Sequence, residues 1–281
     1  MSTKGIIGLD IDGTITAERI SIPSPVISYL DSLASDGWKI CFITGRPYKW
    51  AYSTLKDLPF DFSLAVQNGA VILEMPTKRV LSSNYLSRKI IPEMEEICQD
   101  SPSDFVIYAG VEFQDNCYFR SRQFDEKLLE YVTRRYTTLG ETWHDVESFH
   151  GIPVEGFASL KCFGDLDSSQ ILSRKIESRL GLHAPVISDT FDNNYKDSYV
   201  VQVTRSDVNK GTALKQLAEL FDCKGLVIAA GDDRNDRSML EFADRKIVMA
   251  TAPDEMHEMA DVIAPSAEEN GIIEALKRVI E

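Results

Sequence analysis

An apolar strand that ends in two aspartates is the strongest sign of chemistry in this sequence. The segment GLDIDGTIT, residues 8–16, places Asp10 and Asp12 two positions apart at the end of a hydrophobic run. Successive side chains of a strand point to opposite faces, so both carboxylates are expected on one side, with Ile11 turned toward the core. Two like charges so close together are costly unless a cation lies between them or one of them holds a proton. Both arrangements are useful in catalysis.

Polar residues also follow two other predicted strands. Thr44 follows the strand predicted over residues 38–43, and Asp232 comes shortly after the apolar run LVIAA, residues 226–230. Ligands of open α/β sheets bind at the carboxyl ends of the strands, so we expect these residues to converge on the acidic pair. Mg²⁺ prefers oxygen ligands and is commonly held by one or two carboxylates together with a substrate phosphate. The pattern therefore predicts a magnesium site.

Such a set of residues is typical of phosphoryl transfer. An aspartate can attack phosphorus and form an aspartyl phosphate, which divides one difficult displacement into two easier ones. Asp10 is the expected nucleophile, and Asp12 the group that protonates the leaving oxygen and later deprotonates water. The hydroxyl of Thr44 and the ammonium group of Lys210, in the segment DVNKGTAL, are expected to stabilise the phosphoryl oxygens.

The elements that must position these residues alternate between strand and helix in the first and last thirds of the chain. This alternation predicts an α/β domain with a parallel sheet and helices on its faces. Between them, short aromatic-rich strands lie among polar helices, which indicates an α+β insertion. We expect a core domain formed by residues 1–84 and 201–281 and a cap domain formed by residues 85–200.

Composition and charge narrow the possible partners. The 281 residues are 43% hydrophobic and carry a net charge of −14, which opposes binding to nucleic acid or to an anionic membrane. No apolar run reaches the roughly 20 residues that span a bilayer, and the N-terminus lacks the pattern of a signal peptide. A cytoplasmic protein is expected. The five cysteines occur singly, so we expect buried free thiols.

Four segments together resemble a known superfamily. DIDGT, ITGR, the lysine of NKG and GDDRND, in this order, resemble the four signature segments of the haloacid dehalogenase-like (HAD) hydrolases. The insertion before Lys210, with the segment QNGA at residues 67–70, resembles the Cof-type branch, subfamily IIB. The resemblance implies a Rossmann-like core with an inserted C2B-type cap. It covers the core by its motifs and the cap only by position and size.

The resemblance also implies roles for individual residues. Asp10 would be the nucleophile and a magnesium ligand, and Asp12 the acid/base that also binds the metal through its backbone carbonyl. Asp232 would complete the magnesium site, with Asp236 orienting it or reaching the ion through water. The residues that would contact the substrate phosphate are Thr44, Gly45, Arg46, Lys210 and Asn235.

The activity implied is that of a magnesium-dependent phosphatase that acts on a small phosphorylated metabolite, such as a sugar phosphate. True dehalogenases of the superfamily lack the acid/base that Asp12 supplies, so a phosphatase is favoured. A phosphomutase and a non-catalytic relative that binds phosphorylated metabolites are the alternatives. A signalling receiver domain has similar acidic residues, but it is about half as long and has no cap.

Specificity is expected to depend on the cap and on the rim of the site. Arg46 and Arg234 adjoin the catalytic segments and are expected at the rim. The segment MATAP, residues 249–253, departs from the GNA usual in Cof-type members, a difference expected to affect specificity more than activity. The cap residues that could meet a polar substrate are Tyr118, Arg120, Arg122 and Lys161.

Overall fold

A computed structural model describes residues 3–18, 20–99, 101, 104–188 and 198–280. The chain divides into two compact units, and the first of them is built from three separate stretches of sequence. It comprises residues 1–46, 51–82 and 209–281, while the second comprises residues 47–50 and 83–208.

The chain returns from the second unit to the first after residue 208, which is eight residues later than the boundary predicted after residue 200. Strand Tyr199–Val203 pairs with strand Ser159–Gly164 in the sheet of the second unit, and this pairing keeps residues 201–208 out of the first unit. Apolar runs of this length occur in both units, so periodicity alone does not assign the strand. Residues 47–50 also belong to the second unit, although they directly follow the segment ITGR.

One eight-stranded sheet forms the centre of the first unit, in the order β16-β15-β14-β1-β2-β3-β4-β5. The six strands from β16 to β3 are parallel, and β4 is antiparallel to β3. The strands are β1 (Gly5–Leu9), β2 (Trp38–Ile43), β3 (Phe62–Val66), β4 (Val71–Met75), β5 (Arg79–Ser83), β14 (Leu226–Gly231), β15 (Arg245–Met249) and β16 (Val262–Ala264).

Helices of the first unit pack against this sheet in two groups. Helices α6, α7 and α8 contribute to a hydrophobic cluster with the sheet, and α1 and α9 contact each other and the sheet outside that cluster. The helices are α1 (Ser24–Ser35), α6 (Lys210–Leu220), α7 (Arg237–Phe242), α8 (Asp254–His257) and α9 (Ile272–Ile280), and α2 (Tyr48–Leu55) begins in the second unit and ends in the first. The predicted α/β fold class is confirmed.

The parallel register brings three strand ends to one edge of the sheet. Leu9, the last residue of β1, is paired with Phe42 of β2 and with Ala230 of β14. Chain segments that leave these three strands therefore begin side by side. Because β1 is buried along its whole length, between β2 and β14, the polar residues that follow it are held at a fixed position.

The second unit contains a six-stranded sheet in the order β12-β13-β11-β7-β8-β9, antiparallel except for the pair β8–β9, and a short antiparallel pair β6–β10. The strands are β6 (Leu86–Ser87), β7 (Phe105–Tyr108), β8 (Asn116–Phe119), β9 (Thr142–Asp145), β10 (Gly156–Phe157), β11 (Ser159–Gly164), β12 (Val186–Ser188) and β13 (Tyr199–Val203). The helices are α3 (Ile91–Cys98), α4 (Glu126–Leu139) and α5 (Leu166–Leu180).

The structure bears on the expected free thiols and on the expected absence of a membrane-spanning segment. All five cysteines are free thiols, and four of them are buried, while Cys223 is partly exposed. Among the described residues, none of the helices has the length and apolar composition needed to span a bilayer. The cytoplasmic location stays a prediction.

Helix α6 provides a direct test of how the core holds the sheet and the site together. Leu214 is fully buried over Gly8 of β1, whereas Leu220 on the same helix is 50% exposed. Replacing a buried leucine by alanine removes apolar contacts and leaves a cavity, so we expect Leu214→Ala to lower the free energy of unfolding by about 2–5 kcal/mol. Leu220→Ala should change it by less than about 1 kcal/mol. Urea unfolding of both variants measures the difference, and equal effects would contradict this packing.

Candidate active site

Asp10 lies at the carboxyl end of β1, in the middle of the sheet. Its backbone N–H donates to the carbonyl of Ala230, which extends the pairing with β14 by one residue (3.0 Å). The residue is only 5% exposed. Burial raises the pKa of the Asp10 carboxyl to about 7, and the nearby Lys210 ammonium opposes this rise. The chain therefore holds one carboxyl group poised near neutral pH at the edge of its sheet.

The ammonium group of Lys210 forms an ion pair with the Asp10 carboxylate. It is the first residue of α6, whose preceding residue Asn209 caps the helix by accepting the N–H of Thr212. The Lys210 Nζ lies 2.5 Å from Asp10 Oδ1 and 2.5 Å from Asp236 Oδ1. Burial lowers the pKa of the Lys210 ammonium, but the attraction of the two carboxylates outweighs it, and the net pKa is raised. Lys210 consequently stays charged.

Three carboxylates form a compact group at this edge. One oxygen each of Asp10, Asp232 and Asp236 lies within 4.8 Å of the others. Asp236 is fully buried, and its Oδ2 accepts the backbone N–H groups of Asp232 (2.9 Å) and Asp233 (3.0 Å). Burial and the neighbouring carboxylates raise the pKa of Asp232. Hard oxygen donors in this arrangement suit a divalent cation such as Mg²⁺.

Asp12 faces a different cation. The Arg46 guanidinium donates from Nε to Asp12 Oδ2 (2.7 Å) and from Nη2 to Asp12 Oδ1 (2.5 Å), while its Nη1 donates to Thr54 Oγ1. Arg46 is 2% exposed, whereas the Asp12 side chain is 43% exposed. This paired geometry is the strong form of the arginine–carboxylate contact, and it fixes the direction of the Asp12 carboxyl group.

Thr44 and Asn235 lie next to these groups on the loops that follow β2 and β14. Thr44 is buried, and its Oγ1 accepts the backbone N–H of Arg46 (3.1 Å), so the hydroxyl proton remains to be donated. The Nδ2 of Asn235 donates to Asn68 Oδ1 at 3.4 Å, the long end of hydrogen-bond range. Gly45 lies between Thr44 and Arg46 in the first of these loops.

The structure differs from the sequence-based expectation in three respects. The residue types alone pointed to Asp10, Asp12 and Asp232 as the neighbouring carboxylates, whereas the compact group consists of Asp10, Asp232 and Asp236, the last of which was expected only from the resemblance. Arg46 is buried and not at the rim, because its guanidinium enters the site and binds Asp12. Lys210 contacts two carboxylates, a contact that residue types and spacing do not reveal.

Gly13 marks how closely the chain approaches the acidic group. Its φ is +73°, and a Cβ atom at this position would lie 2.1 Å from Asp232 Oδ2. Glycine is therefore required here both for its left-handed backbone and for the space that the carboxylate occupies. The DG pair of the opening motif is explained by this contact, which the sequence did not predict.

The match to known proteins decides the family. Residues 7–276 match the family of haloacid dehalogenase-like hydrolases. The chain belongs to this family. The match runs through both parts of the core and through the second unit, and the resemblance predicted from the four segments is confirmed. The protein is thus a HAD hydrolase.

A curated relative matches this chain over nearly its full length, and two solved structures share its fold. The 5-amino-6-(5-phospho-D-ribitylamino)uracil phosphatase of Bacillus subtilis is 25% identical over 280 residues, which cover 99% of this chain and 98% of the relative. A crystal structure of a Streptococcus mutans protein matches 99% of both chains with a TM-score of 0.81 and 20% identity. The structure of a HAD subclass IIB sugar phosphatase matches 98% of both chains with a TM-score of 0.76 and 21% identity.

Replacing Gly13 by alanine tests the contact with Asp232. Gly140 provides a matched control, because its φ is +66° and a Cβ there would meet nothing within 4 Å. A left-handed alanine costs about 1–2 kcal/mol at either site. Gly13→Ala must in addition displace the Asp232 carboxylate, so we expect it to lose most phosphatase activity, while Gly140→Ala keeps it. Urea unfolding and an activity assay compare the two variants, and full activity in Gly13→Ala would contradict the close approach.

Proposed function

We propose that this HAD hydrolase is a magnesium-dependent phosphatase that hydrolyses small phosphorylated metabolites through an aspartyl phosphate on Asp10. The observation that carries the proposal is the buried Asp10 carboxylate, which is held through one oxygen by Lys210 and lies beside Asp232. The oxygen of Asp10 that Lys210 holds keeps a second lone pair for a metal, and the other oxygen is left for attack on phosphorus.

The hydrogen bonds of the acidic group suggest which carboxylates would hold the metal. Both oxygens of Asp236 are engaged, Oδ1 by Lys210 and Oδ2 by two backbone N–H groups. The side chain of Asp232 accepts no hydrogen bond from the described residues that would compete with a metal. Asp10 and Asp232 would therefore be the direct ligands, with Asp12 offering its backbone carbonyl, while Asp236 orients Lys210 and the loop after β14. When bound, Mg²⁺ would neutralise charge on the phosphoryl oxygens.

The first half of the reaction transfers the phosphoryl group to the enzyme. A carboxylate oxygen of Asp10 forms a bond to phosphorus while the bond from phosphorus to the substrate's alcohol oxygen breaks, and Asp12 gives that oxygen its proton. In the second half a water oxygen attacks the phosphorus, Asp12 takes the proton from the water, and the bond to Asp10 breaks. Each Asp12 oxygen that accepts from Arg46 keeps a second lone pair, so this pairing orients Asp12 and leaves a site for the proton.

Other groups around Asp10 suit the stabilisation of the transferring group. Lys210 and the hydroxyl of Thr44 would provide a positive charge and a donor already in place before the substrate arrives, which is the main source of catalysis in phosphoryl transfer. The amide of Asn235 and the backbone of Gly45 would add further donors. The net charge of −14 makes these local positive groups necessary for an anionic substrate.

The substrate class is proposed from the relatives and from the insertion. One relative is named a phosphatase of a ribityl phosphate, and one structural neighbour is named a sugar phosphatase. Both names describe phosphate esters of small polyhydroxylated molecules. A sugar phosphate or a similar polyol phosphate is therefore the proposed substrate, and the second unit is proposed to act as a cap that excludes water and selects the leaving alcohol.

Turnover of para-nitrophenyl phosphate tests the proposed mechanism. We expect Mg²⁺-dependent release of nitrophenol by the wild type, and a loss of at least about a thousandfold in kcat for Asp10→Asn, because an amide cannot form the aspartyl phosphate. A hexose phosphate assayed in parallel separates hydrolysis, which releases inorganic phosphate, from isomerisation to another sugar phosphate. Undiminished turnover by Asp10→Asn would contradict the mechanism.

The pKa of Asp10 makes the effect of Mg²⁺ depend on pH. Because the folded-state pKa is about 7, above the ordinary value of 3.8, the folded protein binds this proton more tightly than the unfolded chain does. This group's contribution to the free energy of unfolding therefore decreases as pH rises from about 4 to about 7. A metal ligand must be deprotonated, so Mg²⁺ should bind about tenfold more tightly at pH 8 than at pH 6.

Thermal unfolding with and without Mg²⁺ at the two pH values measures this effect. The rise in Tm on adding Mg²⁺ should be larger at pH 8 than at pH 6 in the wild type. Asp10→Asn, which has no proton to displace at this position, should show a smaller difference between the two pH values than the wild type, and the remaining difference is expected from Asp232, whose pKa is also raised. An equal rise in the wild type at both pH values would show that Asp10 is not a ligand.

A further inference from the structure

A strained turn between β3 and β4 contacts several parts of the candidate site. Its three residues, Gln67, Asn68 and Gly69, all have positive φ, at +51°, +57° and +102°. Glycine and asparagine adopt a left-handed backbone more readily than other residues, but for Gln67 this conformation is costly. All three are buried, so neither exposure nor an open loop explains the conformation. Strain of this kind is typical of functional sites.

The backbone of the turn holds the loop that carries Thr44 and Arg46. The N–H of Gln67 donates to the carbonyl of Arg46 (3.0 Å), and the N–H of Asn68 donates to the carbonyl of Thr44 (2.8 Å). The left-handed backbone points these two successive N–H groups at the loop. The turn therefore fixes the segment that supplies one phosphate-site hydroxyl and the arginine partner of Asp12.

The same turn lies against the helix that carries Lys210. A Cβ atom on Gly69 would be 2.6 Å from Ala213 Cβ and 3.3 Å from the carbonyl oxygen of Asn209, in the first turn of α6. No side chain fits between the two segments. The position of Lys210 relative to the Thr44 loop is thus set through this contact.

The side chain of Asn68 reaches the third segment of the site. It is 1% exposed, and its Oδ1 accepts from Asn235 Nδ2 at 3.4 Å. The Nδ2 of Asn68 has no hydrogen-bond partner among the described residues. A buried amide with an unused donor is unfavourable and requires an explanation, such as strain, a bound water or ion, or a role in catalysis.

We propose that Asn68 is a positioning residue of the phosphate site that acts through Asn235. By holding one N–H of the Asn235 amide, Asn68 Oδ1 fixes the amide so that its second N–H is directed at the transferring phosphoryl group. The proposal rests on the proposed function, since it needs Asn235 to contact the phosphate. It assigns a role to a turn that lies outside the four signature segments.

Asn68→Gly separates this role from the conformation of the turn. Glycine adopts the left-handed backbone without strain, so the N–H that holds Thr44 is kept while the carboxamide is removed. We expect kcat/KM for para-nitrophenyl phosphate to fall about tenfold, and the inhibition constant of inorganic phosphate to rise by a similar factor, because one hydrogen bond to a charged group is lost or misdirected.

Asn270→Gly is the matched control. Asn270 has the same φ of +57° and is partly buried, with a buried Oδ1 that has no partner among the described residues, but it follows the turn 267–269 before α9. Both substitutions make the same chemical change in the same backbone conformation. The control should leave kcat/KM and phosphate inhibition unchanged, whatever it does to the free energy of unfolding.

A double-mutant cycle with Asn235→Ala tests whether Asn68 acts through Asn235. In the Asn235→Ala background, Asn68→Gly should cost less than about twofold in kcat/KM, because the amide it positions is absent. A full tenfold loss in that background would overturn the positioning role, as would wild-type kinetics in Asn68→Gly alone. A wild type without Mg²⁺-dependent turnover would contradict the proposed function itself, and an active wild type with an unaffected Asn68→Gly contradicts only this inference.

Discussion

The contact of Lys210 with Asp10 and Asp236 is the constraint on which the rest of the site depends. Three carboxylates within a few ångströms repel one another, and burial makes that repulsion stronger. One ammonium group at the start of α6 touches two of them, and it lies on a helix whose apolar side packs over β1. The packing of α6 on the sheet and the ion pairs of the acidic group therefore depend on each other. Removing the lysine would leave buried charges without a partner, which is among the most costly changes a protein can undergo.

The two aspartates of the opening motif are given different environments by two different cations. Asp10 is buried and shares the compact, ammonium-held group, whereas Asp12 is partly exposed and held by a planar guanidinium. An ammonium group and a guanidinium group constrain a carboxylate in different ways, since only the planar guanidinium, with two N–H donors in a fixed geometry, fixes the plane of the carboxyl group. This difference suits a nucleophile that needs one free oxygen and an acid/base that needs a defined direction.

Much of the core could be predicted from the sequence. Polar residues that directly follow buried strands of an α/β sheet are typical of a ligand site at the carboxyl ends of those strands. Strand Trp38–Ile43 has the predicted bounds. The partners of charged side chains could not be predicted, since they depend on rotamers and on distances between segments far apart in the chain. Arg46 is an example, because ITGR places it near the site but does not show that its guanidinium enters the interior and binds Asp12.

The strained turn shows a second limit of the sequence. The segment QNGA suggests a turn, but three consecutive left-handed residues are specified by the contacts of the folded chain and not by local preference. Strand Tyr199–Val203 shows a third limit, since its apolar alternation fits either sheet and only its pairing with β11 and β12 assigns it. The sequence was thus most informative about elements and least informative about which elements meet.

The discontinuous first unit has a consequence for how the chain is completed during synthesis. Gly5 of β1 pairs with Leu226 of β14, so one edge of the central strand has no partner until nearly the whole chain has been made. The second unit, whose residues are almost all contiguous, is available for folding well before that. Contacts of such long range slow folding and leave an apolar strand edge exposed to aggregation on the ribosome. The last segments to emerge are also those that bring Lys210 and Asp232, so a nascent chain that is truncated before them has a nucleophile but no site.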